Sequence, residues 1–265
     1  SRRDDPLPGA LPWKGGARQF DPAAVACRSC ASLGKAAPTS YTQAFGGISM
    51  REKPETVHFW RGDLPHWEVV DGRYFVTIRL RGAIPEAGMR RIRCLKEKLE
   101  AAVANGCDGL KERRAIFCEM ENWLETAPRL DYLRRPAAAR VIAEAINYRH
   151  DCEIWTMFEA VTMPNHIHLF FRLGRNAPWE QAAGAEDKAS HCLRDVLRNF
   201  KRWTARRIAG ELGINGSRFW QREWFDHWSR SAEEDEKTNR YIRMNPVKAG
   251  LVRSPEEWPY RWPNP

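Results

Sequence analysis

The stretch Met163–Phe171 constrains the fold of this chain more than any other segment. Pro164 favours a turn, and the apolar residues that follow it favour a β-strand. Side chains alternate between the two faces of a strand, so His166 and His168 are predicted to share one face. Two imidazoles side by side on a rigid strand are suited to binding a metal ion. The alternative for so short a motif is one core histidine and one surface histidine.

A second informative segment begins with a helix start signal. Ser231, followed three residues later by Glu234, matches a capping box, and Pro246 is predicted to end the helix because proline has no amide hydrogen. Tyr241 and Asn245 are four residues apart and are therefore predicted to share one helical face. Taken alone, Tyr241 could be an ordinary half-buried aromatic residue, and Asn245 could be a helix C-cap.

The rest of the chain alternates between strand and helix patterns, which predicts an α+β architecture, an antiparallel sheet with helices on one face. Residues 1–49 are rich in Gly, Pro, Ala and Ser and show no periodicity, so they are predicted to form a flexible N-terminal extension, the alternative being sequence upstream of a natural start at Met50. The predicted order after it is a strand at 73–81, helices near 89–105, 110–126 and 131–149, and a strand at 152–161.

Positive charge is concentrated in the C-terminal part of the chain. The formal net charge is +9, and residues 188–253 contain 15 Lys or Arg against 8 Asp or Glu. A predicted amphipathic helix carries six of these basic residues away from its apolar stripe: Arg194, Arg198, Lys201, Arg202, Arg206 and Arg207. We interpret this face as a track for DNA phosphates, the alternative being a solvated helix surface.

Other features place the chain among proteins of a reducing compartment. It contains no apolar run near the roughly 18 residues that a membrane helix requires, and Ser1–Pro6 lacks the apolar block of a secretory signal. The seven cysteines are scattered, and Cys27 and Cys30 have no second pair at zinc-site spacing. The expected location is the cytoplasm, without a membrane partner.

Five separated stretches together resemble the HUH single-strand DNA endonucleases, and within them the REP-associated tyrosine transposases, which use one catalytic tyrosine. They follow the order of that family from about Pro54 to the C-terminus. The matching stretches are Tyr74–Leu80, Met163–Leu169, Lys201–Arg207, Trp220–Asp226 and Tyr241–Val252.

This resemblance implies a ferredoxin-like or RRM-like sheet within a catalytic domain at residues 50–265, enlarged by a helical insertion at about 86–149. It implies that Tyr241 is a nucleophile that forms a 5′-phosphotyrosine intermediate. It also implies Mg²⁺ or Mn²⁺ as cofactor, held by His166, His168 and Asn245. The expected substrate is single-stranded or hairpin repeat DNA in a prokaryotic nucleoid, and the expected assembly is a monomer or homodimer.

Three functions stay open at this point. The first is DNA nicking and strand transfer, and the second is nicking as a replication initiator or relaxase. The third is sequence-specific DNA binding by a domesticated or inactive protein. Five aromatic residues could stack on bases: Trp203, Trp220, Trp224, Phe225 and Trp228. The spacing of Trp220, Trp224 and Trp228 also fits one packed face of a helix or irregular segment.

Overall fold

A computed structural model of the chain describes residues 56–61, 65–69, 71–107, 109–126, 130–177, 192–214 and 218–263. The predicted extension at 1–49, with Cys27 and Cys30, lies outside the described residues. The strands are β1 Thr56–Arg61, β2 Pro65–Val69, β3 Arg73–Arg79, β4 Trp155–Thr162, β5 His166–Leu173, β6 Phe225–Trp228 and β7 Arg261–Trp262. The helices are α1 Glu86–Ala104, α2 Leu110–Thr126, α3 Pro136–Asp151, α4 Cys192–Leu212 and α5 Ala232–Lys248.

Five strands form one antiparallel sheet in the order β6-β3-β5-β4-β7. Helices α1, α2 and α3 connect β3 to β4, a hairpin joins β4 to β5, and α4 leads to β6. This is the βαββαβ arrangement of a ferredoxin-like fold, with three helices in the first crossover and β7 added at one edge. The predicted α+β class and ferredoxin-like sheet are confirmed. The histidine pair lies on β5, the middle strand.

One face of the sheet is an apolar layer beneath α3 and α4. Ile167, Leu169 and Phe171 point to this face and are fully buried. The Trp155 ring packs 4.9 Å from Phe171 and 5.5 Å from Phe200 of α4, measured between ring centroids. This burial explains the apolar residues at alternate positions of β5.

The opposite face carries the histidines and is covered by α2 and α5. Thr77 and Phe75 of β3 lie on this face because they pair with His168 and Phe170. The Phe75 ring contacts Phe117 of α2 at 5.6 Å and Tyr241 of α5 at 5.8 Å. Helices therefore lie on both faces of the sheet and not on one, since helix α2 of the β3–β4 crossover joins α5 over the histidine face.

The helix that carries Tyr241 starts where the sequence predicted but ends later than predicted. The Ser231 hydroxyl accepts a hydrogen bond from the Glu234 amide at 3.2 Å, as the capping box predicted. The prediction that Pro246 ends the helix is wrong, because α5 continues to Lys248. Proline removes one hydrogen bond, but the Ala249 amide still donates to the Asn245 carbonyl at 3.0 Å. Asn245 is therefore a residue of the helix body and not a C-cap.

The segment that contains Trp220, Trp224 and Trp228 leads into an edge strand that the sequence did not predict. Phe225–Trp228 pairs with β3, and Trp220 forms an isolated bridge with Leu80. Trp220 and Trp224 are buried, as the alternative of a packed face predicted, so neither ring is open for stacking on a base. Trp203 on α4 is 39% exposed. The β1–β2 hairpin is a second antiparallel sheet, also not predicted.

Candidate active site

The two histidines of β5 are fully buried and face each other. Their Nε2 atoms lie 3.0 Å apart. The Nδ1 atom of His166 lies 2.6 Å from Asn165 Oδ1, and the Nδ1 atom of His168 lies 2.9 Å from Thr77 Oγ1. Each ring is thus oriented by a hydrogen bond on the nitrogen away from the pair. Both Nε2 atoms are directed to one point, as the shared strand face predicted.

The hydrogen bonds of Asn165 fix the protonation of His166. The Asn165 amide group donates to the Leu124 carbonyl at 3.0 Å, so its Oδ1 atom must accept from His166 Nδ1. The Nε2 atom of His166 then carries a lone pair. Burial, together with the charge of His168, lowers the pKa of His166 to about 3. This ring is therefore neutral at physiological pH, the form that binds metals.

A carboxylate from α2 completes this cluster. Glu121 is buried, and its Oε2 atom lies 3.3 Å from His168 Nε2. The same oxygen accepts a hydrogen bond from the hydroxyl of Tyr241. Burial alone would raise the pKa of Glu121, but the charge and hydrogen bond of His168 outweigh it and lower that pKa. Glu121 is therefore ionised, and the sequence reasoning did not find it.

Asn245 reaches the cluster from α5. Its amide nitrogen lies 3.2 Å from His168 Nε2, and its Oδ1 atom is buried with no hydrogen-bond partner among the described residues. A half-turn of the amide exchanges the two atoms and directs the oxygen to the histidine pair. The structure brings together the three predicted ligands, His166, His168 and Asn245.

The donor atoms of this site fit a divalent cation. One ligand atom each from Glu121, His166 and His168 lies within 4.8 Å of the others. Glu121 Oε1 and Asn245 Oδ1 are both buried oxygens without a hydrogen-bond partner in the described chain, and a cation would satisfy them. Imidazole suits Mn²⁺ or Zn²⁺ better than Mg²⁺, whereas the carboxylate and amide oxygens suit Mg²⁺ and Mn²⁺.

The Tyr241 side chain is half-buried beside the histidine pair. Its ring centroid lies 5.5 Å from that of His168. Lys248 lies two turns further along α5, and its Nζ atom is 4.4 Å from the centroid of the Tyr241 ring. Burial, followed by the negative charge of Glu121, raises the pKa of Tyr241 well above its ordinary value. The phenol is therefore protonated at neutral pH, and it donates its hydrogen bond to the Glu121 carboxylate.

The six predicted DNA-binding residues lie on α4, over the other face of the sheet. Arg198, Arg202 and Arg206 are exposed and four residues apart along one side of the helix, with Arg194 half-buried in the same row. Arg207 is exposed and lies 3.9 Å from Glu211.

Lys201 differs from the five arginines. Its ammonium donates to the carbonyls of Gln221 and Arg222 at 2.8 and 2.6 Å, and burial lowers its pKa to about 8. Lys201 therefore holds the segment before β6 in place. None of the six residues lies with Tyr241, and their contact with DNA stays a prediction.

A ferredoxin-like sheet, a converging His-x-His pair and a tyrosine helix above it form the arrangement that the resemblance to HUH endonucleases implied. Comparisons with known proteins find similarity at the level of sequence and of structure. The chain is 31% identical over 118 residues to a curated protein of Haemophilus influenzae named "Putative REP-associated tyrosine transposase". The aligned region covers 43% of this chain and 62% of that relative, so the chain spans less than two thirds of the relative's length.

A solved structure is also similar to this chain. "Structure of the REP associates tyrosine transposase bound to a REP hairpin" matches with a TM-score of 0.43 and 15% identity, over 76% of this chain and 82% of that chain. No protein-family model matches the chain. The resemblance to REP-associated tyrosine transposases is thus confirmed by sequence similarity to a curated relative. None of the described helices combines the length and apolarity needed to cross a membrane.

Proposed function

We propose that this chain is a REP-associated tyrosine transposase that cuts and rejoins single-stranded DNA through a 5′-phosphotyrosine on Tyr241. One observation carries the proposal. The Tyr241 hydroxyl is hydrogen-bonded to Glu121, whose carboxylate lies beside the Nε2 atoms of His166 and His168. A nucleophile, a proton acceptor and a ligand pair from three separate elements meet in one buried place. A protein that only binds DNA has no physical need for this convergence.

The covalent step uses side chains of this chain. The Tyr241 oxygen attacks the scissile phosphorus and forms a new P–O bond, while its proton passes to the Glu121 carboxylate. The bond from phosphorus to the 3′-oxygen breaks, and that oxygen leaves as a hydroxyl by taking up a proton from solvent, to which Glu121 returns the proton of Tyr241. The 5′ side of the cut stays on Tyr241 as a phosphodiester, so the energy of the broken bond is retained for joining without ATP.

A divalent cation, Mg²⁺ or Mn²⁺, would polarise the phosphate and offset its developing charge when bound. His166, His168, Asn245 and Glu121 would hold it, since the carboxylate has two oxygens and can face both the cation and Tyr241. Asn165 and Thr77 orient the two rings and keep their Nε2 atoms directed to the ligand point.

The proposed substrate is hairpin DNA with a single-stranded flank. The similar solved structure is named as bound to a REP hairpin. In this chain, the exposed arginines of α4 supply positive charge for phosphate contacts along a strand. Replication initiators and relaxases use the same chemistry, but they need not join the cut strand to a new target.

A cleavage and joining assay tests this function. We expect a labelled hairpin oligonucleotide to be cut in Mn²⁺ or Mg²⁺ and its 5′ side to be joined to a second strand. The double variant His166→Ala/His168→Ala should lose cleavage but keep most DNA binding. His150→Ala, on α3 and outside the site, is the matched control and should cut normally. Undiminished cleavage by the double variant would contradict the assignment of His166 and His168 to the active site. Cutting without joining would favour a replication initiator or relaxase.

A further inference from the structure

A cavity of about 790 Å³ lies between the end of α3 and the first half of α4. Its volume is within the range of ~300–1,000 Å³ that is typical of ligand sites. These helices cover the sheet face opposite the histidine pair, so the cavity is separate from the candidate active site. Three arginines line it, Arg149 of α3 and Arg198 and Arg202 of α4, against one carboxylate, Asp195. The cavity therefore has a net positive lining.

Arg149 is the unusual member of this lining, because it is buried with only 4% of its surface exposed. Its guanidinium donates to the Ala145 carbonyl at 2.9 Å and to Asn199 Oδ1 at 2.8 Å. It also lies 5.2 Å from the ring centroid of Phe200. These contacts fix the orientation of the guanidinium group, and both of its hydrogen-bond acceptors are neutral.

No carboxylate of the described residues lies within ion-pair distance of Arg149. Burial lowers its pKa, as expected for a cation that has lost water without gaining a counter-charge. Buried charges in proteins are almost always paired. A guanidinium has five donors in a planar fork suited to phosphate, so Arg149 is preorganised for an anion that enters the cavity.

Tyr148 lies at the edge of the same cavity and is 61% exposed. A tyrosine ring left open to solvent beside an anion site offers a stacking surface. Base–aromatic stacking together with backbone phosphate contacts is the usual way in which proteins bind single-stranded nucleic acid. Asn199 and Asn176, which also line the cavity, add amide groups for hydrogen bonds.

We propose that this cavity binds one nucleotide of a DNA strand outside the active site. Its phosphate contacts Arg149, Arg198 and Arg202, and its base stacks on Tyr148. The identity of the ligand as DNA rests on the proposed function. The cavity would hold a strand on one side of the sheet while Tyr241 cuts on the other, so anchoring and cleavage are performed by different residues.

The test measures binding alone, in a Tyr241→Phe background without divalent metal. Fluorescence anisotropy of a labelled hairpin with a single-stranded flank gives Kd for Tyr148→Ala, Arg202→Ala and the parent. We expect each substitution to weaken binding about 5- to 100-fold, the range for one lost stacked base or charged contact. Tyr148→Trp should keep binding near the parent value, because it preserves a stacking ring.

Arg90→Ala on α1 is the control, since it removes an exposed charge far from the cavity. Arg149→Lys, which keeps the charge but not the planar fork, should weaken binding, with thermal unfolding checked on the same sample. Kd values within twofold of the parent for both Tyr148→Ala and Arg202→Ala overturn the proposal. Binding of free deoxynucleotide monophosphate with unchanged DNA affinity overturns it too, since the site would then serve a small molecule.

The cavity proposal and the proposed function can fail independently of each other. If DNA binds through the cavity but Tyr241 never forms an adduct, the nuclease assignment fails and the cavity stands. If cleavage is found but the cavity variants bind normally, the cavity proposal fails alone.

Discussion

The hydroxyl of Tyr241 on α5 donates a hydrogen bond to the carboxylate of Glu121 on α2, 120 residues earlier in the chain. Helix α2 belongs to the long crossover between β3 and β4, so the crossover contributes to the site itself. The carboxylate also lies 3.3 Å from His168 Nε2. The candidate nucleophile and the candidate ligand pair are therefore connected through one buried acidic residue.

Glu121→Gln should reduce cleavage at least 100-fold while DNA binding stays within twofold. Glutamine keeps the shape of the side chain but cannot accept the Tyr241 proton, and general-base catalysis contributes about 10²–10⁴ in rate. The measurement is single-turnover cleavage of a labelled hairpin. Glu112→Gln, near the start of the same helix, is the control and should cut normally. Wild-type rates from Glu121→Gln would remove this residue from the mechanism.

Asn245→Ala should raise the Mn²⁺ concentration needed for half-maximal cleavage, with activity partly restored by excess metal. The reason is the buried Oδ1 atom, which has no hydrogen-bond partner among the described residues and can be directed to the histidine pair. Metal titrations of cleavage by the wild type and the variant give the comparison. An unchanged titration would make Asn245 a packing residue of α5 and not a ligand.

Much of this site was predictable because it depends on short-range periodicity. A strand places His166 and His168 on one face, and a helix places Tyr241 and Asn245 on one face, whatever the rest of the fold. Glu121 was not predictable, since nothing in the spacing of an amphipathic helix marks one acidic residue as the one that faces a strand 45 positions later. Only the packing of α2 against the sheet selects it.

The predictions that failed concern choices that tertiary contacts decide. Pro246 is tolerated within α5 because it lies in the last turn, where one missing hydrogen bond matters little. The tryptophans before Ser231 have helical spacing, yet Phe225–Trp228 forms the edge strand that pairs with β3. Lys201 shares its charge with the arginines of α4, but its ammonium donates to the carbonyls of Gln221 and Arg222, and its contact with DNA stays a prediction.

Replacing Arg198, Arg202 and Arg206 with Ala should make the salt dependence of DNA binding shallower. For single strands, log K falls with log salt at about −0.7 for each phosphate neutralised, so the slope should decrease by up to about 2. These three arginines form an exposed row on α4. Anisotropy titrations between low and moderate salt, with several unrelated sequences, provide the slopes.

The control for this row is a triple variant with the same loss of charge on the inserted helices, Arg90→Ala/Lys98→Ala/Arg114→Ala. It should retain the wild-type slope. Equal slopes for both triple variants would mean that the row on α4 is a solvated surface.

His66 should make the stability of the fold depend on pH. The His66 ring contacts Asp226 and lies 3.3 Å from Glu223 Oε2. Burial lowers the pKa of His66, but the two carboxylates outweigh burial and raise this pKa from 6.5 to about 9. Because the pKa of His66 is raised on folding, its protonation stabilises the folded state fully when the pH is below 6.5, the pKa in the unfolded chain. This stability is lost as the pH rises through about 9. The expected loss is about 3 kcal/mol, at 1.36 kcal/mol per unit.

Urea unfolding of the wild type and His66→Phe between pH 6 and about 9.5 measures this loss. The variant should be less stable at pH 6 and should lack the decline above pH 7. If the free energy of unfolding of the wild type stays constant across this interval, protonated His66 does not stabilise the fold through Asp226 and Glu223.

Tyr241 should become covalently joined to the 5′ side of a cut DNA strand. Wild type and Tyr241→Phe are incubated with a labelled hairpin carrying a single-stranded flank and Mn²⁺, and the adduct is isolated on denaturing gels and mapped by peptide mass spectrometry. We predict a phosphodiester on Tyr241 in the wild type and none in the variant, which loses one oxygen and should still fold and bind DNA. An adduct on another residue, or cleavage without any adduct, would show that Tyr241 is not the nucleophile.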